Sequence, residues 1–385
     1  MTTQQPDRST HELPHSALPQ VTAATLTLFR FYDVGYAIDL ERAEALVTAG
    51  MGRHRTPGRV RQSSSIEIAQ PPLWVGLGPA AVELAGLRLE GTLRASVYDL
   101  GAVTLALSLP LSGAMPWEGI ADLFGATQEP PEPLEAHFRA GIDEIESLIR
   151  PAIERPERSA LVEDYSVLMV ERLAPEGRAA ALGDDPLVRS ALLVERRTLS
   201  ADTYATVTRM SYEPAVDLAL LSWNGALVVE PDAEAAATAL DLLEFANVEL
   251  LLLRSYDAGL EAEVFGLNDR ITAARRRLYI PLVGRYNALL NDVQQLVIEL
   301  TEVTERLDNA FKVTDDVYWN RLYSAALGVL RTGLWRSEVE HRLNLLRESY
   351  TMLHERADSD RSASLEWIII LLIAFEIGMA FLGIW

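Results

Sequence analysis

Cysteine is absent from the 385 residues, which excludes disulfides, iron–sulfur clusters, thiolate zinc sites and thiol nucleophiles. Lysine is almost absent: Lys312 is the only one, so positive charge is carried by arginine. That bias fits the genomic composition of a bacterium. Basic residues are outnumbered, 34 Lys and Arg against 55 Asp and Glu, and the formal net charge is −21. Such a body repels nucleic-acid phosphates and anionic headgroups, so DNA is not expected as a partner and any phosphate contact needs a local basic patch.

Histidine is sparse too. His11, His15, His54, His137, His341 and His354 are scattered, and none forms an HExxH pair or a facial triad. Gly76-Leu77-Gly78 lacks the third glycine and the GK[ST] of a phosphate loop, so it is expected to be a strand-end turn. Carboxylates are abundant, and no pair stands apart as an acid–base couple. No catalytic residue, metal ligand or cofactor site is therefore assigned, and a non-enzymatic role is expected. The opening stretch Met1 to Gln20 is polar and contains Asp7 and Glu12. It has no apolar segment of a signal peptide, so it is expected to be a disordered leader and the body to stay where it is made.

What is present suits a folded chain: 49% hydrophobic and 23% charged residues. Thr25 to Tyr32 predicts a strand, Leu40 to Ala49 a helix, and Gly50 to Gln62 a loop. Ser65 to Ala69 and Leu73 to Val75 follow as short strands. Leu87 to Val97 and Ala102 to Leu109 flank Asp99-Leu100-Gly101 as a hairpin. Pro116 to Phe124 and Pro133 to Ile149 predict helices, and Val162 to Arg172 a strand. Strand, helix, two strands, helix, strand is the split βαβ order, so a ferredoxin-like α+β domain is expected over 21–173. A second region, 174–231, opens with an Ala/Gly/Pro-rich linker, Ala174 to Pro186. Leu187 to Thr198 follows as a helix or long strand, with a strand around Tyr204 to Met210. A hairpin around Asn224-Gly225 closes the region, the dipeptide that suits a type I′ turn.

From Asp232 onward the pattern is helical, broken at Pro281. Apolar positions at Leu282, Tyr286, Leu289, Val293, Leu296, Leu300, Val303, Leu307 and Ala310 advance by steps of four and three, a heptad seam. A second seam runs through Val339, Leu343, Leu346, Tyr350 and Leu353. The two predict a coiled-coil stalk over 232–363, folded as an antiparallel hairpin or paired between subunits. Trp367 to Trp385 is then nearly uninterrupted apolar sequence, expected as one transmembrane helix within 364–385, preceded by Arg356 and Arg361. That makes the chain a tail-anchored, single-pass membrane protein, with the bilayer as a partner, the body on the cytoplasmic side and a bacterial plasma membrane as its place. Glu376 would lie mid-span, sharing a helical face with Ala380 and Gly383, and is expected to mark contact with another helix, for instance a second copy.

Two arginine groups could meet phosphates: Arg53, Arg55, Arg59 and Arg61 in one loop, and Arg270, Arg275, Arg276, Arg277 and Arg285 near Pro281. Pairing with acidic neighbours is the commoner use of such groups.

The run Asp316-Val317-Tyr318-Trp319, then Arg342-Leu343-Asn344, then Ser364-Leu365-Glu366-Trp367-Ile368-Ile369-Ile370-Leu371-Leu372-Ile373 with Glu376, resembles the end of the required-for-meiotic-nuclear-division family, a domain of unknown function. Phe29-Arg30-Phe31-Tyr32 fits its general pattern. The resemblance implies a non-enzymatic, oligomeric, membrane-attached protein, and mitochondrial members imply a translation role as a ribosome tether. The sequence therefore leads to an expected oligomeric scaffold presenting its head to a cytoplasmic protein partner. A ribosome tether and a membrane-bound enzyme with a head-domain site are the alternatives.

Overall fold

A computed structural model describes residues 18–50, 58–59, 70–195, 197–276, 291, 294–295, 297–298, 301 and 316–381. The strands are β1 (Gln20–Asp33), β2 (Gly35–Ile38), β3 (Gly58–Arg59), β4 (Leu73–Leu84), β5 (Leu87–Val97), β6 (Ala102–Met115), β7 (Ile153–Pro156), β8 (Val162–Ala174), β9 (Thr208–Met210), β10 (Leu218–Leu221) and β11 (Gly225–Val229). The helices are α1 (Leu40–Gly50), α2 (Trp117–Gln128), α3 (Glu132–Ile149), α4 (Ala180–Gly183), α5 (Pro186–Leu192), α6 (Ala201–Tyr204), α7 (Ala233–Arg276), α8 (Val317–Val329) and α9 (Thr332–Phe381).

One nine-stranded sheet, in the order β3-β4-β5-β6-β1-β8-β11-β10-β9, organises the molecule, and β2 with β7 makes a small second sheet. Its centre is β1, whose sequence is nearly continuous in apolar residues because both its faces are covered. Leu26 and Leu28 face one core, which includes Phe124, Leu134, Phe138 and Ile142 of α2 and α3. Phe29 and Phe31 face the other, which includes Leu242, Phe245, Leu250 and Leu253 of α7 with Leu322 and Tyr323 of α8. The result is a sheet between two helical layers.

Most elements form where the apolar periodicity places them: β1, α1, the β5–β6 hairpin, α2, α3, β8 and the β10–β11 hairpin. The ferredoxin-like arrangement is a correction. The sheet is far larger than the four strands of that fold: β1 is antiparallel to both β6 and β8, but β4 and β3 continue the sheet beyond β5, and β11, β10 and β9 continue it beyond β8. Here α1 packs against α3, and β4, β5 and β6 form an antiparallel meander. Parallel pairing occurs between β8 and β11. Gly76-Leu77-Gly78 is also not a strand end. It lies inside β4, where the register against β5 shifts between Gly76 and Gly78, and Gly78 has φ +110°, a bulge that a glycine accommodates.

The expected membrane span is corrected as well. Among the described residues no helix is long and apolar enough to cross a membrane. The apolar stretch is the tail of α9, a 50-residue helix that is polar along most of its length. Glu376 lies within that tail. The transmembrane helix, the tail-anchored single-pass topology, the bilayer partnership and the plasma-membrane location derived from it are thus not supported.

The helical hairpin is visible where residues are described. Arg347 Nη2 donates to Thr301 Oγ1 at 2.9 Å, and Tyr350 OH lies 3.5 Å from Gln294 Oε1. The numbers run in opposite directions, so the stretch around Gln294 and Thr301 lies antiparallel to α9 within one chain. Val339, Leu343 and Leu346 are buried on α9, which packs mainly on α7.

Gly101 closes the β5–β6 turn with φ +86°, and a Cβ there would lie 1.8 Å from the carbonyl oxygen of Gly35. Gly101→Ala is therefore expected to cost about 2–4 kcal/mol in urea unfolding. Gly125→Ala, in α2 with open space around it, is expected to add about 0.5–1 kcal/mol. Equal stabilities for the two variants would contradict this description of the turn.

Candidate functional site

The least expected chemistry lies on α7. Its segment Leu240-Asp241-Leu242-Leu243-Glu244-Phe245-Ala246-Asn247-Val248-Glu249-Leu250 sets acids into an apolar run. The helix is pressed onto the sheet, so these carboxylates are carried inside, where each needs a cation or donor. Glu244, 2% exposed, accepts from Arg94 Nη2 and from Tyr98 OH, each at 2.8 Å. The Arg94 guanidinium sits 4.6 Å from the ring centroid of Trp74. Burial pushes the Tyr98 hydroxyl well above its ordinary range, and the Glu244 charge adds to it. Half-buried Asp241 is pushed up to about 7, mainly by burial, with Arg94 opposing and the Glu244 charge reinforcing.

Further along, Glu249 accepts from Tyr323 OH at 2.9 Å and Arg336 Nη2 at 3.0 Å. Burial, reinforced by the Glu249 charge, raises the Tyr323 hydroxyl well above its usual range. Arg254 pairs closely with Glu163 of β8 and lies 5.2 Å from the ring centroid of Trp335. Arg342 meets Asp257 at 2.6 Å and Glu261 at 3.5 Å, an ion pair whose Asp257–Arg342 contact is not aligned as a hydrogen bond. These pairs join α7 to the sheet at one end and to α8 and α9 at the other.

The segment Asp316 to Trp319 is likewise structural. Asp316 caps α8 by accepting from the backbone N–H groups of Tyr318 and Trp319 at 2.8 and 3.2 Å. The Tyr318 hydroxyl donates to Asp217 at 3.2 Å, and Asp217 also accepts from the backbone of Tyr212 and Glu213. Burial, with the Asp217 charge behind it, raises the Tyr318 hydroxyl.

A cleft of about 940 Å³ opens between the β10–β11 turn and the corner joining α8 to α9. Thr206, Thr208, Ser222, Trp223 and Asn224 line one side. Ala325, Gly328, Val329, Arg331, Leu334, Trp335 and Glu338 line the other, with Leu193 between. Ser222 Oγ lies 2.8 Å from the Leu192 carbonyl oxygen and 2.9 Å from that of Gly225, which pins the turn. Arg331 takes φ +52° at the corner. Trp223 and Leu334 remain 43% and 61% exposed. The volume and the aromatic lining are those of a binding site.

Few of the residues singled out from sequence meet at one place. Arg53, Arg55, Arg61, Arg277, Arg285, Leu289, Val293, Leu296, Leu300, Val303 and Gly383 lie outside the described residues, as does Ser65 to Ala69. Arg275 and Arg276 end α7, and Trp367, Leu353 and Ala380 belong to α9; the side chains of these five are outside the description. Glu366 and Glu376 are exposed, as are Ile368 to Ile373, Phe375 and Ile377. Leu343 and Leu346 are buried. No group of three or more metal-ligating side chains occurs among the described residues. Sequence reasoning missed the α7 carboxylates, although acids flanked by leucines were their signal. It also missed the cleft, which only tertiary folding assembles.

The Asp241 shift has a measurable consequence. Its carboxyl holds a proton more tightly folded than unfolded, so the ionised form disfavours folding; that penalty is small near pH 4, develops as pH rises toward about 7, and is complete above it. Asp241→Asn should therefore stabilise the protein at about pH 8, by on the order of 1–2 kcal/mol after allowance for solvent screening, and progressively less toward pH 4. Urea titrations at the two pH values check this, and a gain that grew on acidification would contradict it.

Sequence relatives extend across the sheet. The family model described as "Uncharacterized protein MJ0711, N-terminal domain" matches residues 23–236, which holds ten strands and most of β1. The Uncharacterized protein MJ0711 of Methanocaldococcus jannaschii is 23% identical over 164 residues, 43% of this chain and 49% of that protein. Protein RETARDED ROOT GROWTH-LIKE of Arabidopsis thaliana is 28% identical over 129 residues, 32% of this chain and 30% of its own length. The chain thus spans about half or less of the curated relatives it matches. No solved structure matches it. With more than half of its residues inside the family model, this chain belongs to the MJ0711 N-terminal domain family.

Proposed function

We propose that this protein is a non-enzymatic scaffold that holds a protein partner in the cleft between the β10–β11 turn and the α8–α9 corner. One observation carries the reading. The buried carboxylates Glu244 and Glu249 are engaged by Arg94, Tyr98, Tyr323 and Arg336, while the large cleft presents exposed Trp223 and Leu334. The polar groups are engaged internally, and the apolar ones are free for contact. Exposed aromatic and leucine side chains around a pocket are the features of an anchor site for protein.

Asp241, raised to about 7, is a feature that favours an enzyme, since a carboxyl in that range can exchange protons near neutrality. It lies between α7 and the sheet beside Arg94 and Glu244, and it does not line the cleft. The scaffold reading therefore gives it a structural role.

We place the chain, more narrowly, with the required-for-meiotic-nuclear-division proteins. The Asp316-Val317-Tyr318-Trp319 run supports this, because each polar member has a defined task in seating α8. A self-associating scaffold and a translation-associated ribosome tether are narrower forms of the same binding role.

The test is photo-crosslinking in native extracts, with a photoreactive residue at Thr206 or Leu334 of the full chain and a control at Glu90 on β5. The scaffold reading expects a discrete protein adduct from the two cleft positions and none from the control. Adducts of equal yield at all three positions, or none at the cleft, would contradict it.

A further inference from the structure

We infer that the cleft receives an arginine- or lysine-bearing segment of a basic protein, with a cationic side chain held against Trp223 beside Glu338; this rests on the scaffold reading above. The first support is the set of groups. Two indoles and one carboxylate line the same space, and Trp335 and Glu338 are three positions apart on α9, so they project from one side of the helix. Aromatic faces attract guanidinium and ammonium groups through the ring quadrupole, and a nearby carboxylate adds charge attraction.

The second support is that the chain already uses this chemistry at the cleft's other indole. The Arg254 guanidinium lies 5.2 Å from the ring centroid of Trp335. Trp74 and Arg94 repeat the pairing on the opposite side of the sheet's centre at 4.6 Å. Arginine over tryptophan is thus a recurrent contact of this protein, and Trp223, 43% exposed, offers the same kind of face to a visitor.

The third support is charge complementarity. A body of formal net charge −21 draws basic segments toward it and disfavours polyanions. Within the cleft, Arg331 and Glu338 are the ionisable lining groups. An incoming cation is therefore matched with Glu338 and kept from Arg331, which orients the segment across the corner with its apolar side chains toward Leu334.

The experiment uses the full chain and a fluorescein-labelled 12-residue peptide of alternating arginine and leucine, followed by anisotropy. A matched peptide with citrulline for every arginine keeps the shape and removes the charge. The inference expects the arginine peptide to bind, the citrulline peptide to bind at least about tenfold more weakly, and Trp223→Ala and Glu338→Gln each to weaken binding about five- to tenfold. Trp223→Phe should restore part of the loss. Thermal melts establish that the variants fold, and Glu338→Gln, an exposed conservative change, carries the test if Trp223→Ala does not. Glu90→Gln, an exposed change on β5, should leave binding unaltered.

Equal affinity of native, Trp223→Ala and Glu338→Gln proteins would mean diffuse attraction to an acidic surface and would overturn the inference. So would equal binding of the citrulline peptide, or preferential binding of a 12-nucleotide polyuridine through Arg331. If cleft crosslinks to a protein are found while the arginine peptide fails, the scaffold reading stands and only the partner's chemistry is wrong. If the cleft yields no protein adduct, the scaffold reading itself is lost.

Discussion

The constraint on which the structure depends is the placement of acids inside α7. A helix that covers β6, β1 and β8 must turn an apolar face to the sheet, and Leu242, Phe245, Leu250 and Leu253 supply it. Glu244 and Glu249 are carried inside with that face, each 2% exposed. An unpaired carboxylate there would cost several kcal/mol, so the rest of the molecule is arranged to meet them. Arg94 comes from β5 and Tyr98 from the turn that follows it, Tyr323 from α8 and Arg336 from α9. The pairs act as locating pins as well as contacts: a shift of α7 by one turn would leave every one of them unmatched.

That arrangement explains why the head and the helical arm form a continuous body. The corner between α8 and α9 is set by Arg331 at positive φ. Arg336 and Arg342 of α9 then reach Glu249 and Asp257 of α7, and Val339, Leu343 and Leu346 close the apolar stripe between them. With the corner fixed, Leu334, Trp335 and Glu338 stand opposite the β10–β11 turn and the cleft has a defined shape. The shape of the cleft therefore follows from electrostatic seating some distance away.

Local features of the fold were legible in the sequence because they rest on local rules. Asp99-Leu100-Gly101 specifies its hairpin through turn chemistry, with Gly101 at φ +86°, and the heptad steps through Leu343 and Leu346 mark a buried helical stripe; the hairpin at Asn224-Gly225 forms without the type I′ turn, since neither residue takes a positive φ. The ferredoxin-like order fell short for a physical reason. The sheet continues past β8 through its parallel pairing with β11, a later element, and no local pattern encodes that pairing. The apolar C-terminal run suggested a bilayer span from composition, yet among the described residues no helix is long and apolar enough to cross a membrane. The cleft was illegible because its two walls, around Trp223 and around Trp335, are more than a hundred residues apart. The paired carboxylates went unread: acids among leucines are compatible with burial, but the partners that stabilise them there lie on other elements.

The most direct measurement is a double-mutant cycle on Glu249 and Arg336 by chemical unfolding of the full chain. If the α7 carboxylates seat the helical layer, Arg336→Leu alone should cost about 3–5 kcal/mol by stranding a buried charge, and adding Glu249→Leu should recover much of that loss. Strictly additive effects, with each single change costing little, would show that α7 is held by its apolar face alone and would contradict the account.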